Sequence, residues 1–291
     1  MIGDLAYLAA RAFRRIAGVI EKLGGTQKIA VQRAMAAYDM TSQPSEDYYR
    51  RQYWHWLLPE LEERFPNRQA RALDVGCGHG RLALPTAQWL QSGTLIGVDV
   101  TGAAIDQARA YSSQLGLSNV EFHEADALDF VGSLPNESID LALMLEVSFF
   151  MPAYKEVIKE IGKVLKKGGL LFVSFRSQYF DLLHSIQAHD WQSAQLVRET
   201  REGHWGGGST WFSWHTVEDI EELLSAAGFS VEKYRGIGIA SGIEGDPLSL
   251  IVQPSSLSSA EQSYLLELET SLAERYAQCG RYILAVAVKT A

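Results

Sequence analysis

From Ala70 to about Phe175, short apolar runs alternate with glycine turns and with segments whose apolar residues recur at helical spacing. Parallel strands need crossovers long enough to hold a helix, so this rhythm is the sequence form of a mostly parallel sheet covered on both faces. The pattern predicts strands near 71–75, 94–99, 119–123, 139–144, 169–175, 229–235 and 281–288, and helices near 79–91, 103–115, 154–166 and 216–227. The last helix has Thr216 placed as N-cap, Val217, Ile220, Leu223 and Leu224 on one face, and Gly228 as its stop. Two connections exceed a simple crossover. Residues 177–215 hold a helical part followed by Gly203-His204-Trp205-Gly206-Gly207-Gly208; residues 236–280 hold a loop and a helix that opens with a Ser258-x-x-Glu261 capping box and ends at Gly280. Insertions of this length form lids or binding walls.

Ahead of the first strand the period is helical throughout. Ile2, Leu5, Leu8, Phe13, Ile16, Val19, Ile20 and Leu23 make an amphipathic helix stopped by Gly24-Gly25, and a second helical stretch runs to about Ala37. After a break at Tyr38–Ser45, an aromatic helix from Glu46 to about Phe65 carries Tyr48, Tyr49, Tyr53, Trp54 and Trp56, for core packing or for a cap over a ligand. The expected organisation is an N-terminal helical cap over 1–65 and an α/β domain over 66–291, with insertions at about 177–215 and 236–280.

With 291 residues, 47% of them hydrophobic and 21% charged, the chain can bury one large α/β core. A net charge of −9 disfavours nucleic-acid partners, which call for a Lys/Arg surplus. Two cysteines, Cys77 and Cys279, support neither a disulfide framework nor a four-ligand zinc site, and a reducing, cytoplasmic setting is expected. No stretch approaches the roughly 20 apolar residues of a membrane span. Membrane contact through the first helix is disfavoured because its polar face is not strongly basic; a homodimer is left open.

The chemistry begins at Leu73-Asp74-Val75-Gly76-Cys77-Gly78-His79-Gly80, a glycine turn directly after the first buried strand, where backbone can approach a ligand closely. A dinucleotide fingerprint needs a further glycine at the position of Arg81. The second strand ends in Ile96-Gly97-Val98-Asp99-Val100, and the third runs into Val120-Glu121-Phe122-His123-Glu124-Ala125-Asp126-Ala127. Ile139-Asp140-Leu141-Ala142-Leu143-Met144-Leu145-Glu146-Val147 and Val164-Leu165-Lys166-Lys167-Gly168-Gly169-Leu170-Leu171-Phe172-Val173 follow in order. Together these segments resemble the motifs of class I, Rossmann-like S-adenosylmethionine-dependent methyltransferases, of the small-molecule and ubiquinone-biosynthesis O-methyltransferase type.

The resemblance implies an α/β fold: a seven-stranded, mostly parallel sheet with helices on both faces and an antiparallel last strand inserted beside the fifth, plus N-terminal helices and a cap insertion. It implies S-adenosyl-L-methionine as cofactor. Asp74, Gly76, Cys77, Gly78 and Gly80 would surround the donor, Asp99 and Val100 would meet the ribose, Asp126 and Ala127 the adenine, and Leu145 the end of the fourth strand that faces the methyl group. Asp74 can equally serve to orient the loop backbone. Ser148, Phe149 and Phe150 stand where some relatives carry further polar groups, so no metal is assigned.

A sulfonium is already a good leaving group, so the protein must chiefly align nucleophile, methyl carbon and sulfur and exclude water; a general base is optional. Glu146, by its motif position near the methyl group, is the first catalytic candidate. His184, His189, His204 and His215 fall in the insertion after the fifth strand, and His204, within its glycine-rich setting, is the candidate base. Trp205, Trp211, Phe212 and Trp214 could stack on an aromatic or cationic substrate. The expected function is methyl transfer to an oxygen or nitrogen of a small molecule. Alternatives are a peptide, protein or lipid acceptor, or a catalytically silent cofactor-binding scaffold.

Overall fold

The computed structural model describes Thr41, residues 43–204 and residues 210–290. The helices expected within 1–37, and Trp205 with its three following glycines, lie outside the described residues. The first described element, α1 (Pro44–Arg64), opens with proline, whose missing N–H is no loss in a first turn. The alternation that follows is β1 (Arg71–Val75), α2 (Ala83–Trp89), β2 (Thr94–Asp99), α3 (Gly102–Gln114), β3 (Val120–Glu124), α4 (Ala127–Ser133), β4 (Ile139–Met144), α5 (Tyr154–Val164) and β5 (Leu165–Arg176). Then come α6 (Gln178–Gln187), α7 (Trp191–Glu199), a hairpin of β6 (Glu202–His204) and β7 (Trp211–Ser213), α8 (Val217–Ala226), β8 (Phe229–Ile237), α9 (Ser259–Leu272) and β9 (Tyr282–Lys289).

Seven strands form one sheet in the order β3-β2-β1-β4-β5-β9-β8, with β9 antiparallel to both neighbours and the first five strands parallel. The chain winds outward from β1 to β3, then returns to lay β4 on the other side of β1. That reversal opens a crevice at the carboxyl ends of β1 and β4, where the helices on either side diverge.

Period-two alternation divides the core. Ala72, Leu141, Leu143, Leu170 and Phe172 face one layer with α1, α2, α3 and α9, whereas Leu73, Ala142, Met144, Leu171 and Val173 face the other with α4, α5 and α8. In α1 the residues Tyr49, Tyr53, Leu57 and Leu61, four apart, form a buried stripe, so the tyrosines are core, while Trp54 and Trp56 are half-buried against its edge.

The expected helix over 79–91 is shorter, because Gly78 and Gly80 hold left-handed backbone (φ +50° and +86°) and keep the chain in turns until Ala83. Asn119 ends it by donating through Nδ2 to the carbonyls of Ala87, Leu90 and Gly93. The helix α4 carries too little apolar pattern to be seen in sequence, having Val131 as its one fully buried side chain. β5 starts at Leu165 through an irregular pairing with Ile139, four residues ahead of expectation. The first insertion contains two helices and a hairpin. Both capping boxes, Thr216 with Asp219 and Ser258 with Glu261, are formed, but α9 stops at Leu272 and a 3-10 turn, Ala277–Cys279, fills the way to Gly280.

One buried carboxylate binds α1 to the second insertion. Glu269 on α9 accepts from the Tyr48 hydroxyl and Gln52 Nε2, each at 2.7 Å, and from the Ala240 and Ser241 amides at 2.8 and 3.0 Å. The Ser241 hydroxyl adds a further donor, and Gln52 Oε1 accepts from the Gly238 amide at 3.0 Å. Replacing Glu269 by alanine strands these donors inside the protein. The Glu269→Ala variant should lose about 3 kcal/mol in urea unfolding, since each orphaned donor costs about 1–3 kcal/mol before relaxation; a loss under about 0.5 kcal/mol would remove this carboxylate as the anchor of α1.

Candidate active site

The carboxyl ends of β1 and β4 carry the glycine loop and Glu146. Two loop amides return to β2: Gly76 and Cys77 donate to the Val98 carbonyl at 2.8 and 3.1 Å. Gly76 holds φ +73°, and a Cβ there would stand 2.5 Å from Cγ2 of Val147, so glycine lets the loops after β1 and β4 meet. Gly80 is under a similar restriction from Leu84.

Asp99, at the end of β2, is held from both sides. Its Oδ2 accepts from the Gly78 amide at 3.0 Å and its Oδ1 from the Thr101 amide at 2.8 Å. Each oxygen keeps a lone pair beyond these bonds, so the half-buried carboxylate can accept two further hydroxyls beside the loop. Val100 continues from it. Asp126 stands exposed at the rim and caps α4 by accepting from the Leu128 amide at 3.1 Å; Ala127 is the first residue of that helix. Asp126 therefore has a structural task as the cap of α4.

Asp74 is buried at the end of β1 and is pushed up to about 7 by burial and then by Asp99, with Arg81 opposing. Cys77 is also buried. Its thiol is pushed well up by burial, Asp74 and Asp99, which makes it a packing group rather than a nucleophile.

Glu146 follows Leu145 directly after β4. It holds φ +58°, a strained backbone for a residue with a side chain, and its amide donates to Ser174 Oγ on β5 at 2.7 Å. Its Oε2 lies 2.9 Å from Arg81 Nη2, and Arg81 Nη1 lies 2.8 Å from Glu46 Oε2 on α1. All three side chains are more than nine-tenths buried. Burial alone would lower Arg81, but Glu146 and Glu46 outweigh it and keep the guanidinium charged. The other oxygen of Glu146, Oε1, is buried with no hydrogen-bond partner among the described residues.

An aromatic wall stands beside it. Phe149 stacks on Tyr282 at 5.4 Å, Phe150 packs on Phe149 at 4.3 Å, and Phe212 of β7 meets Phe150 at 5.2 Å. Behind the wall, Arg176 donates through Nε and Nη2 to Asp181 at 2.8 and 2.7 Å. The hairpin β6–β7 thus packs against the turn that follows Glu146.

The histidines of the first insertion are spread over separate elements. His215 is buried, its Nε2 2.8 Å from the Tyr154 hydroxyl, and burial lowers it to about 4, so it is a packed, neutral ring. His184 is buried in α6, and His189 (φ +53°) stacks on Trp191. His204 is exposed on β6, opposite Trp211. Trp214 is fully buried, its indole N–H donating to the Thr200 carbonyl, so it is core and not a substrate platform. Asp140, at the other end of the sheet, accepts from the Arg71 amide and from Lys166. Sequence reasoning missed Glu46, Ser174 and the Arg176–Asp181 pair. An acid in a first helical turn is the one hint that Glu46 gave, and it has an ordinary explanation there.

A glycine loop after β1, a fixed acid after β2 and a strained acid after β4, on this strand order, define a nucleotide-type cofactor site at a topological switch point. The family described as "Methyltransferase domain" matches residues 66–228, more than half of the chain. The chain belongs to it, as a class I S-adenosylmethionine-dependent methyltransferase. It is 33% identical over 110 residues to a fatty-acid O-methyltransferase of Mycolicibacterium smegmatis, covering 38% of each chain. It is 32% identical over 114 residues to a ubiquinone biosynthesis O-methyltransferase of Pseudomonas syringae pv. tomato, covering 39% of this chain and 47% of the other. The matches thus span less than half the length of these two curated relatives. Among solved structures, the magnesium protoporphyrin IX methyltransferase of Synechocystis with bound S-adenosylhomocysteine aligns over 91% of this chain and all of its own, with a TM-score of 0.55 at 13% identity, a likeness of fold.

The site fits S-adenosylmethionine on charge as well. Glu46 and Glu146 both pair with the Arg81 guanidinium, and the Asp99 carboxylate stands on the glycine loop itself, so acceptors outnumber cations around the place of a cationic donor.

The raised Asp74 has a consequence for stability. Between its ordinary value of 3.8 and about 7 the folded protein keeps a proton that the unfolded chain has released, so this residue makes stability fall as pH rises through that window. Urea unfolding of Asp74→Asn against wild type at pH 5 and pH 8 should show the variant gaining relative stability at the higher pH. A difference that does not change with pH would show that Asp74 titrates normally.

Proposed function

We propose that this chain transfers the methyl group of S-adenosylmethionine, by in-line displacement, to an oxygen or nitrogen of a small acceptor with an apolar body. The observation that carries the reading is Glu146: a buried, strained carboxylate at the carboxyl end of β4, with one oxygen fixed by Arg81 and the other without a hydrogen-bond partner. A buried polar atom left unpaired costs about 1–3 kcal/mol, and it persists where function uses it. An O–H or N–H of an acceptor supplies the missing donor and is thereby oriented next to the aromatic wall of Phe149 and Phe150.

In this reading Gly76, Gly78 and Gly80, with Asp74 and Cys77 beside them, form the backbone cradle of the donor, Asp99 and Val100 hold its ribose, Asp126 and Ala127 its adenine, and Leu145 its methyl end. The bound group supplies the electrophilic methyl carbon. Glu146 orients the nucleophile and takes up its proton where the acceptor must lose one, the aromatic wall excludes water, and His204 on the hairpin is the second candidate for proton acceptance. An apolar acceptor is also consistent with the relatives named for fatty-acid and ubiquinone-biosynthesis methylation.

Methyl transfer from isotope-labelled S-adenosylmethionine to a panel of phenols, carboxylic acids and amines tests the activity; no transfer to any of them, with donor bound, would favour a silent scaffold. With a working acceptor, Glu146→Gln should lower kcat by about 100-fold, and His204→Ala should lower it less, while S-adenosylhomocysteine affinity in calorimetry stays within about threefold of wild type. Asp99→Ala should do the reverse, weakening that affinity by about tenfold or more through loss of paired hydroxyl contacts. Wild-type turnover in Glu146→Gln would remove it from the mechanism, and unchanged affinity in Asp99→Ala would end the ribose assignment.

A further inference from the structure

Like Glu146 Oε1, the hydroxyl of Tyr53 is buried with no hydrogen-bond partner among the described residues, and the two are opposite in kind: the carboxylate oxygen accepts and the phenol donates. The helix α1 brings them together. Glu46, Tyr49 and Tyr53 follow at intervals of three and four, so they share one face of α1. Glu46 meets Arg81 Nη1 at 2.8 Å, the Arg81 guanidinium lies over the Tyr53 ring at 6.0 Å from its centroid, and Arg81 Nη2 holds Glu146 Oε2 at 2.9 Å. Ser174, whose Oγ accepts from the Glu146 amide, also adjoins the Tyr53 hydroxyl. Tyr282 joins this corner to the aromatic wall, acting on Tyr53 from one side and stacking on Phe149 at 5.4 Å on the other. Burial raises the Tyr53 phenol well above its ordinary range, and Glu146 and Tyr282 add to the rise, so the phenol keeps its proton as a donor.

We propose that Tyr53 is a catalytic residue of the acceptor site: it donates to the same atom whose hydrogen Glu146 Oε1 accepts, and the pair selects a hydroxyl over an amine or a carboxylate. This rests on the methyl-transfer reading above and narrows it to one acceptor group. A hydroxyl oxygen has one hydrogen and two lone pairs. It can give the hydrogen to Glu146, take the Tyr53 hydrogen on one lone pair and attack with the other. A neutral amine nitrogen has a single lone pair, which the attack uses, so an amine leaves Tyr53 unpaired. A carboxylate has no hydrogen for Glu146 and sets a second negative charge beside it. In the transfer the acceptor oxygen bonds the methyl carbon as the carbon–sulfur bond breaks, the electron pair of that bond goes to sulfur, and the hydroxyl proton goes to Glu146 Oε1. The Tyr53 hydrogen bond steadies the charge that grows on oxygen while the proton leaves.

The test uses three ligands with one body, para-hexylphenol, para-hexylaniline and para-hexylbenzoate, on wild type and on Tyr53→Phe, which keeps the buried ring. Initial rates are read with isotope-labelled S-adenosylmethionine, and affinities by calorimetry beside S-adenosylhomocysteine. Wild type should prefer the phenol by about tenfold or more in both kcat/KM and affinity, the effect of one buried donor left unpaired by the others. Tyr53→Phe should lower both values for the phenol by about tenfold and those for the aniline by less than about threefold, so the preference closes, while S-adenosylhomocysteine affinity stays within about threefold of wild type. A phenol preference that survives the substitution, an equal loss for phenol and aniline, or a wild-type preference for the aniline or the benzoate would overturn the proposal. A Tyr53-dependent preference in affinity without any transfer would support the pairing and count against methyl transfer itself. Binding of none of the three beside S-adenosylhomocysteine would overturn the reading of a small acceptor with an apolar body, and this assignment with it.

Discussion

The guanidinium of Arg81, buried between Glu46 and Glu146, is the contact on which the site's geometry depends. Three charged groups out of water are costly in isolation, and each becomes tolerable through the other two. The consequence is geometric. Glu46 belongs to the helix laid over the sheet, Arg81 to the turn after the glycine loop, and Glu146 to the end of β4, so one cation ties α1, the glycine loop and the carboxyl end of β4 into fixed register. The strained backbone of Glu146 is held by the same ion pair on one side and by Ser174 on the other. A carboxylate with one oxygen so fixed presents its second oxygen in a defined direction, which is what alignment of a nucleophile requires.

The parts of the site that were legible in the sequence are those where backbone constraint dictates residue type over a few positions. Gly76 is required by its left-handed conformation and by Val147, and Asp99 sits where a strand end meets that loop, so both leave a local signature. The sheet was legible for a similar reason, since fully buried parallel strands must read as apolar runs. The place of β9 between β5 and β8 was available only through family resemblance, because periodicity carries no neighbour information. What escaped was long-range. Glu46 and Arg81 are 35 residues apart, Tyr48 and Glu269 are 221 apart, and nothing near either residue distinguishes these partners from ordinary surface acids and core tyrosines. The hairpin β6–β7 escaped because its strands are three residues each, too short for a period to show.

The same distinction separates the histidines. Four of them in one insertion suggested a cluster, but sequence proximity within an insertion does not bring side chains together when the segment folds into two helices and a hairpin. His215 was drawn into the core by its bond to Tyr154, and burial leaves it neutral. His204 alone remains on a surface that packs, through Phe212 and Phe150, against the turn after Glu146.

The helix α1 carries the two buried carboxylate contacts that matter most, Glu46 toward the donor loop and Tyr48 with Gln52 toward Glu269. Because Glu46 and Tyr48 lie within one turn of each other, the second insertion and the donor loop cannot move apart without breaking one of these contacts. In this fold the sheet supplies the crevice at its switch point, while α1 and the insertions lie outside the sheet and are tied to it through a few buried charges. That division explains why the glycine loop could be read from short motifs, whereas the contacts made by α1 and the insertions show only in how they pack.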